Sequence, residues 1–397
     1  MKYQSDINNI LIIGAGIAGL TAAYWLNHYG FSVEIIERAP TPARGRGYLL
    51  DFWGAGFSVA EKMGIIEKLA KKSDLFDKFI FLDSAGNTES FFHIAQAQKL
   101  HQHRIFTLFR SEFENTLYSA VKDFLPIRYG VTAENLVEQE NHVIAYFSDQ
   151  TKKTFDLVIG ADGTHSLTRT YVSQAPLYYL GYQLVAAIQK APIQLDHSLY
   201  TYCLPERQVS VCPISRDEWV VFYTYRSAQP KKALKDPYIV AKEAFRGARW
   251  VVPELLDALE NAKELFFDDL AQVRLENWHR GRIVLIGDAC QCLTLAAGQG
   301  ASMAMAGAYI LADRLHRSKE NYQAALTQYE SIMKPGMVQK QKTTEAFLKL
   351  YMPGETEGLN QRNFYTRHFF KAIYEKTAIE RFFGSLESRN GSEGALT

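Results

Sequence analysis

The sequence predicts an α/β protein that combines a three-layer domain built on a parallel sheet, an inserted mixed β-sheet and a C-terminal helical region. Residues 10–38 contain an apolar strand, a glycine-rich turn, a helical pattern and a second apolar strand, an order typical of a βαβ unit. Residues 177–226 are rich in aromatic and β-branched residues with turn residues between them, which favours antiparallel strands. From residue 298 to residue 383 the pattern is mostly helical.

The apolar strand pattern of the first part returns at residues 273–288, so we expect discontinuous domains. The predicted boundaries are residues 1–74, 101–176 and 273–317 for the three-layer domain, 75–100 and 177–272 for a substrate-binding domain, 318–384 for the helical region and 385–397 for a flexible tail.

Composition narrows the functional class. The 397 residues suffice for two or three domains, and 47% hydrophobic with 22% charged residues is typical of a globular protein. A net charge of +1 does not favour nucleic acid or an anionic membrane as partner. Polar residues interrupt the most apolar stretch, 283–312, and the N-terminal strand is too glycine-rich for a signal peptide. We therefore expect a cytoplasmic protein, monomeric or homodimeric, that binds a small molecule.

The four cysteines are too sparse for a disulfide scaffold, and the pair Cys290 and Cys292 has no second pair at zinc-site spacing. The ten histidines are scattered without ligand spacing. No metal site is predicted.

The first motif is Gly14-x-Gly16-x-x-Gly19, directly after the apolar strand. In a Rossmann-like turn the first glycine turns the chain, the second lets a pyrophosphate approach the backbone, and the third lets helix and strand pack closely. Glu37 ends the second strand, eighteen residues after Gly19, where an acidic side chain can accept hydrogen bonds from a ribose. The whole unit predicts a dinucleotide site, whereas the glycines alone would also suit an ordinary βα turn.

Further elements follow in order. Prolines and glycines predict a loop over residues 38–54, and Gly64 interrupts a helix predicted over 59–69. Alternation predicts a hairpin over 77–94. Ser111 and Glu114 have capping-box spacing at the start of the next helix. Strands are predicted at 127–129, 143–147, 154–159, 209–213 and 219–225, and a helical region at 237–263, broken at Pro253.

Two later motifs each follow a predicted strand. One is Gly160-Ala-Asp162-Gly163, with Ser166 and Arg169 after it. The other is Gly287-Asp288-Ala289, followed by Gly298-Gln-Gly300 at the start of a helix. A carboxylate at a strand's carboxyl end can hold a sugar hydroxyl, and the helix N-terminus can stabilise negative charge.

The three motifs resemble the fingerprints of the single-component FAD-dependent aromatic monooxygenases, a family that includes para-hydroxybenzoate hydroxylase and the tetracycline-inactivating monooxygenases. The resemblance spans residues 8–315 in the same order, and the segment Asp51-Phe52-Trp53 looks closer to the tetracycline-inactivating branch. It departs from the family at Gln291, where histidine is usual, and at Leu295, where proline is usual.

The resemblance implies FAD as cofactor and NAD(P)H as co-substrate. It assigns the ADP half of FAD to the first motif, the FAD backbone to Arg110 and Asp288, and the flavin ring to the start of the last helix. Arg169 would serve FAD or the passing NAD(P)H, together with Asp162. The implied cofactor-binding residues are Gly14, Ala15, Gly16, Ala18, Gly19, Glu37, Arg38, Arg44, Arg46, Arg110, Asp162, Asp288, Gly298, Gly300 and Ala301.

The implied reaction needs no catalytic side chain, because the flavin carries the chemistry. NAD(P)H reduces FAD, oxygen adds to the reduced ring, and the flavin hydroperoxide hydroxylates an aromatic or polycyclic, polyketide- or tetracycline-like molecule, a modification of the kind that inactivates antibiotics. The predicted sheet would cover the substrate, with Tyr200, Tyr202, Phe222 and Tyr223 as candidates, although strand alternation turns half of them away from any pocket.

The sequence leaves two other functional interpretations open. One is an FAD oxidoreductase without oxygenation, or a redox-neutral flavoenzyme; the other is a non-catalytic FAD-binding protein. A flavin halogenase is disfavoured because Trp-x-Trp-x-Ile-Pro is absent, and a dithiol reductase because Cys-x4-Cys is absent.

Overall fold

A computed structural model describes residues 7–42, 45, 47–73, 76–100, 102–230, 236–262, 264–318 and 320–354. Its strands are β1 (Asn9–Ile13), β2 (Ser32–Glu37), β3 (Leu49–Trp53), β4 (Lys78–Leu82), β5 (Thr88–His93), β6 (Ile105–Phe109), β7 (Ile127–Tyr129), β8 (Ala133–Glu138), β9 (Val143–Phe147), β10 (Lys152–Phe155), β11 (Leu157–Gly160), β12 (Tyr178–Lys190), β13 (Leu199–Leu204), β14 (Arg207–Pro213), β15 (Glu218–Arg226), β16 (Leu265–Gln272), β17 (His279–Arg280) and β18 (Ile283–Leu285). Its helices are α1 (Ile17–His28), α2 (Ala55–Lys62), α3 (Ile66–Ala70), α4 (Ile94–Leu100), α5 (Arg110–Val121), α6 (Pro237–Ala244), α7 (Val252–Leu259), α8 (Asp288–Gln291), α9 (Gly300–Arg317) and α10 (Tyr322–Tyr351), with short 3-10 turns at Thr168–Tyr171 and Leu295–Ala297.

The first domain has the predicted three layers. A six-stranded sheet has the order β17-β18-β11-β1-β2-β7, in which β1 pairs in parallel with both β2 and β11. Helices α1, α5 and α9 pack together on one face, and the antiparallel sheet β10-β9-β8 covers the other through residues such as Phe147 and Phe155. Strand β1 is apolar and buried on both faces, as a central strand between two layers must be.

The second sheet has seven strands in the order β16-β12-β15-β14-β13-β4-β5. It is mixed, because β13 pairs in parallel with β4 while its other pairs are antiparallel. Helices α6 and α7 cover one face. The fold class predicted from the sequence is therefore confirmed: an α/β protein with a Rossmann-like three-layer domain, a mixed β-sheet and C-terminal helices.

Several local predictions were wrong, each for a physical reason. Residues 49–53 are not loop but strand β3, which pairs with β6 in a two-stranded sheet. The strand predicted over 154–159 divides at Asp156 into β10 and β11, which belong to different sheets. The Asp156 carboxylate accepts the backbone N–H groups of Asn8 and Asn9 (2.9 and 2.8 Å), which fixes the change of sheet beside β1.

The capping box predicted at Ser111 does not form. Helix α5 begins at Arg110, and its N-cap is Phe109, two residues before the predicted cap, which makes no side-chain hydrogen bond. The Glu114 carboxylate instead accepts a hydrogen bond from Arg110 (3.0 Å). None of the helices in the described ranges combines the length and apolar character that crossing a bilayer requires.

Candidate functional site

The first glycine motif forms a tight turn between β1 and α1. Gly14 has a φ of +108°, and a Cβ there would lie 2.5 Å from the Ala161 carbonyl oxygen. A Cβ on Gly19 would lie 1.9 Å from the Gly14 oxygen, so only glycine allows α1 to start this close to the sheet. Gly16 is the N-cap residue of α1, so no side chain caps the helix by a hydrogen bond. The first turn of α1 also contains no acidic residue. The N-terminal N–H groups of α1 are thus available to an anion.

Glu37 lies beside this turn at the end of β2. Its buried carboxylate accepts hydrogen bonds from the N–H groups of Ala15 and Ala39, both at 2.8 Å. Arg38, the next residue, is exposed. Arg44 and Arg46 lie outside the described residues.

The second motif is held together by Asp162. One carboxylate oxygen accepts from the Ser166 hydroxyl (2.5 Å), and the other from both the N–H and the hydroxyl of Thr168 (3.0 Å each). Asp162 therefore shapes the loop after β11. Arg169 donates from this loop to the Ala289 carbonyl oxygen (3.3 Å), and burial lowers the pKa of its guanidinium while Asp162 opposes that shift. The second motif thus supports the third.

The third motif brings Asp288 next to α1. Gly287 has a φ of +59°, and a Cβ on it would lie 2.7 Å from the Ala18 methyl group. Asp288 opens α8, and its carboxylate makes no hydrogen bond within the described part of the chain. Burial raises the pKa of Asp288, and the positive charge of Arg110 opposes the shift.

Helix α9 begins at Gly300, with Gln299 as an N-cap that gives no side-chain hydrogen bond to the helix. A Cβ on Gly300 would meet nothing within 4 Å, which leaves the helix N-terminus open. The Gln299 side-chain oxygen Oε1 instead accepts a hydrogen bond from the buried Lys340 of α10 (2.7 Å). Helix α10 therefore fixes this turn from behind.

These elements surround a cavity of about 240 Å³. Of the predicted cofactor-binding residues, those that line it are Gly16, Ala18, Arg110, Asp288, Gly298, Gly300 and Ala301. Gly14, Ala15, Gly19, Glu37 and Asp162 are not among the lining residues and build the turns behind it. Two uncapped helix N-termini and an unbonded carboxylate fit a ligand that carries both phosphates and hydroxyl groups, such as FAD.

A second cavity of about 310 Å³ adjoins the first, and both are lined by Asp51, Leu295 and Gly298. It lies between the seven-stranded sheet, the sheet of β3 and β6, and the end of α10. The lining is mainly apolar and includes the aromatic residues Trp53, Phe76, Phe79, Phe81, Phe92, Phe222, Phe347 and Tyr351.

The structure separates the four aromatic residues that the sequence suggested for substrate contact. Phe222 lines the second cavity, whereas Tyr200, Tyr202 and Tyr223 lie on the opposite face of the sheet. Tyr202 donates to the Ser84 carbonyl oxygen (2.9 Å), and Tyr223 donates to Gln189 (2.8 Å). Tyr200 donates to Asp196 (2.5 Å). The prediction of substrate contact is therefore corrected for these three tyrosines. They belong to the face of the sheet that α6 and α7 cover, not to the second cavity.

Other cavity residues had no predicted role. Asp51 lies at the junction of the two cavities, where Thr107 donates to its carboxylate (2.6 Å). A carboxyl group inside an apolar strand is the sequence signal that could have identified it. Gln208 shares the cavity face with Phe222, which the strand alternation could have indicated once the pairing was known.

The two departures from the family pattern differ in position. Gln291 is 2% exposed and donates to the Met303 carbonyl oxygen (3.0 Å), so it joins α8 to α9 outside the cavities. Leu295 lines both cavities, so the exchange of proline for leucine changes the wall between them.

Residues 8–340 match the family described as FAD binding domain. A flavin-dependent monooxygenase from an unknown prokaryotic organism is 32% identical over 335 residues, which is 82% of this chain and 86% of the relative. A flavin-dependent monooxygenase of Legionella longbeachae serogroup 1 is 28% identical over 352 residues, 85% of this chain and 89% of the relative.

Solved structures agree. The tetracycline destructase Tet(55) superposes with a TM-score of 0.83 at 28% identity, covering 93% of this chain and 97% of that protein. Klebsiella pneumoniae HpxO, in complex with FAD and uric acid, has a TM-score of 0.75 at 21% identity, covering 96% of each chain, and supports the fold. The chain therefore belongs to the FAD binding domain family, and it is an FAD-dependent monooxygenase.

Proposed function

We propose that this monooxygenase consumes NAD(P)H and hydroxylates an aromatic or polycyclic small molecule of polyketide or tetracycline type. The observation that carries the proposal is the apolar, aromatic second cavity, which adjoins the first cavity, the proposed cofactor cavity. Its supporting relative is Tet(55), a tetracycline destructase of similar structure. A cytoplasmic location, and a monomer or homodimer, stay predictions.

The proposed FAD site uses this chain's residues in three ways. Backbone N–H groups of α1 hold phosphates, Glu37 holds a ribose, and Asp288 holds a hydroxyl of the cofactor's chain. The N-terminus of α9 stabilises negative charge on the ring. The full proposed set is Gly14, Ala15, Gly16, Ala18, Gly19, Glu37, Arg38, Arg44, Arg46, Arg110, Asp162, Asp288, Gly298, Gly300 and Ala301.

When bound, FAD supplies the redox and oxygen-activating chemistry of the reaction. The protein's own part is to position the substrate against the ring and to exclude water. Phe79, Phe92 and Phe222 provide apolar surface for a flat molecule, and Leu295 separates the two cavities. Excluding water protects a reactive intermediate from side reactions.

The test is the visible spectrum of the purified protein, followed anaerobically after addition of NADPH or NADH with a panel of aromatic and polyketide ligands. We expect bound flavin that bleaches, faster with one class of ligand, and in air a product that carries one added oxygen atom. Flavin that bleaches without giving an oxygenated product would favour a non-oxygenating oxidoreductase. Flavin that never bleaches would favour a redox-neutral or structural role.

A further inference from the structure

A buried lysine lies behind the N-terminus of α9. Lys340 of α10 is 8% exposed, and its ammonium group donates a hydrogen bond to Gln299 Oε1 (2.7 Å). Gln299 is the N-cap residue of α9 and stands between Gly298 and Gly300, which both line the first cavity. Lys340 is not itself among the lining residues. One glutamine side chain therefore separates its ammonium group from the turn that lines the cavity.

The position of this lysine favours a negative charge in the cavity. The N-terminus of a helix carries a positive potential, so a cation is normally found at the opposite end. Burial also costs an ammonium group its hydration. The hydrogen bond to Gln299 satisfies one ammonium proton but adds no negative charge. Two positive potentials, from Lys340 and from the start of α9, thus act on the same end of the first cavity.

The lining of the first cavity does not supply a positive charge at this end. Among its described residues the cation is Arg110, which lies at the start of α5 and forms an ion pair with Glu114 (3.0 Å). Nearby like charges disfavour a further negative charge. The acidic lining residues are Asp51, Asp268, Asp269 and Asp288. A ring that becomes negative here therefore needs a positive potential from outside the lining.

Reduction of the flavin creates such a charge. Hydride transfer from NAD(P)H moves two electrons and one proton, so a ring that is neutral when oxidised gains one negative charge. We propose that Lys340 is a positioning residue that holds a positive charge behind the start of α9 and raises the reduction potential of the bound flavin. A nearby cation stabilises the negative, reduced ring more than the neutral, oxidised one. This inference rests on the proposed flavin site.

Three variants of Lys340 separate its charge from its hydrogen bond. Lys340→Gln keeps a donor for Gln299 but carries no charge, Lys340→Met lacks both, and Lys340→Arg keeps both. The matched control is Lys342→Met, which removes an exposed lysine two residues further along the same helix.

The measurement is the anaerobic reduction equilibrium of the FAD-loaded protein against a reference dye. Xanthine and xanthine oxidase supply the electrons, and the visible spectrum reports flavin and dye together. We expect Lys340→Gln and Lys340→Met each to shift the equilibrium about 10-fold toward oxidised flavin, which is about 30 mV for two electrons. Lys340→Arg and Lys342→Met should stay close to the parent protein.

Unchanged potentials in Lys340→Gln and Lys340→Met overturn the inference, as does an equal shift in Lys340→Arg or in Lys342→Met. A shift in Lys340→Met alone, together with a lower unfolding temperature, would assign Lys340 a structural role and also overturns it. The dye equilibrium uses neither NAD(P)H nor substrate. The expected shifts in a protein without ligand-stimulated oxidation of NAD(P)H would therefore count against the proposed function alone.

Discussion

Asp288 is a proposed cofactor-binding residue whose ionised carboxylate is unfavourable in the flavin-free protein because it is buried. Its carboxylate faces the cofactor cavity and makes no hydrogen bond within the described part of the chain. Burial raises its pKa, with Arg110 as the opposing charge. A ligand hydroxyl that donates a hydrogen bond to this carboxylate would stabilise its charged form.

Replacing Asp288 by Asn gives a prediction with a definite dependence on pH. A raised pKa in the folded state means that the carboxylate form destabilises folding, so stability is lost as pH rises above the ordinary value of 3.8. In flavin-free protein, Asp288→Asn should therefore be more stable than the parent by an amount that grows with pH and then levels off. FAD should bind about 10-fold more weakly.

Urea unfolding of the flavin-free protein from pH 4 upward, with FAD titration at neutral pH, checks both parts. Exposed Asp217→Asn is the control, and its stability difference should not follow this profile. A pH-independent gain, or unchanged FAD affinity, would refute the assignment.

The thiols provide a second prediction for single residues. All four cysteines are buried and free, and burial raises the pKa of Cys292 to about 12. At pH 8 the native protein should therefore react with a thiol reagent such as Ellman's at a small fraction of the unfolded rate, because the thiolate is the reactive form. Rapid native reaction of any of the four would contradict the packing around α8, β13 and β14.

At the scale of residues, a role is easier to predict from sequence when the residues that share it lie close together in the chain. Gly14 and Gly19 act through one local turn, so the glycine spacing together with the flanking strand and helix was enough to predict that turn. Asp51 and Gln208 belong to one cavity but are far apart in the chain, and nothing local marks them as neighbours.

At the scale of elements, strand β15 illustrates what pattern can and cannot decide. Alternation shows that Phe222 and Tyr223 face opposite sides, but only the positions of α6, α7 and the first domain decide which side holds the cavity. Strand β3 was missed for a similar reason, because it exists through its pairing with β6.

The pair Phe222 and Tyr223 makes this testable on adjacent residues. Phe222→Ala should weaken substrate binding and alter the order of preferred ligands, since it removes part of the cavity wall. Tyr223→Phe should leave ligand binding unchanged and cost about 0.5–1.5 kcal/mol of unfolding free energy, because the Gln189 oxygen loses its donor. Flavin-monitored titrations and urea unfolding measure the two effects. Ligand affinity that responds only to Tyr223→Phe would place the cavity on the wrong face.

At the scale of the whole molecule, the cofactor cavity joins parts that the sequence keeps apart. Its lining includes the start of α1, strand β3, both β12 and β16 of the second sheet, and the start of α9. The division of the chain into a cofactor domain and a substrate domain therefore stays a proposal. Residues from both proposed domains line this cavity. Sequence patterns predict the sheets separately, because relative placement is set by contacts between distant segments.

This arrangement predicts how FAD should stabilise the protein. At a free concentration about 100 times its Kd, FAD should add about 2.7 kcal/mol to the free energy of unfolding. Hydrogen exchange should slow at residues 14–19 and also at residues 298–304 and in β12 and β16, because the ligand contacts both domains. ADP, which has only the nucleotide half, should protect residues 14–19 and the end of β2 but leave β16 unchanged. If ADP reproduced the full pattern, or if FAD protected only the first motif, the flavin ring would have to lie outside the cavity that α9 and the second sheet share.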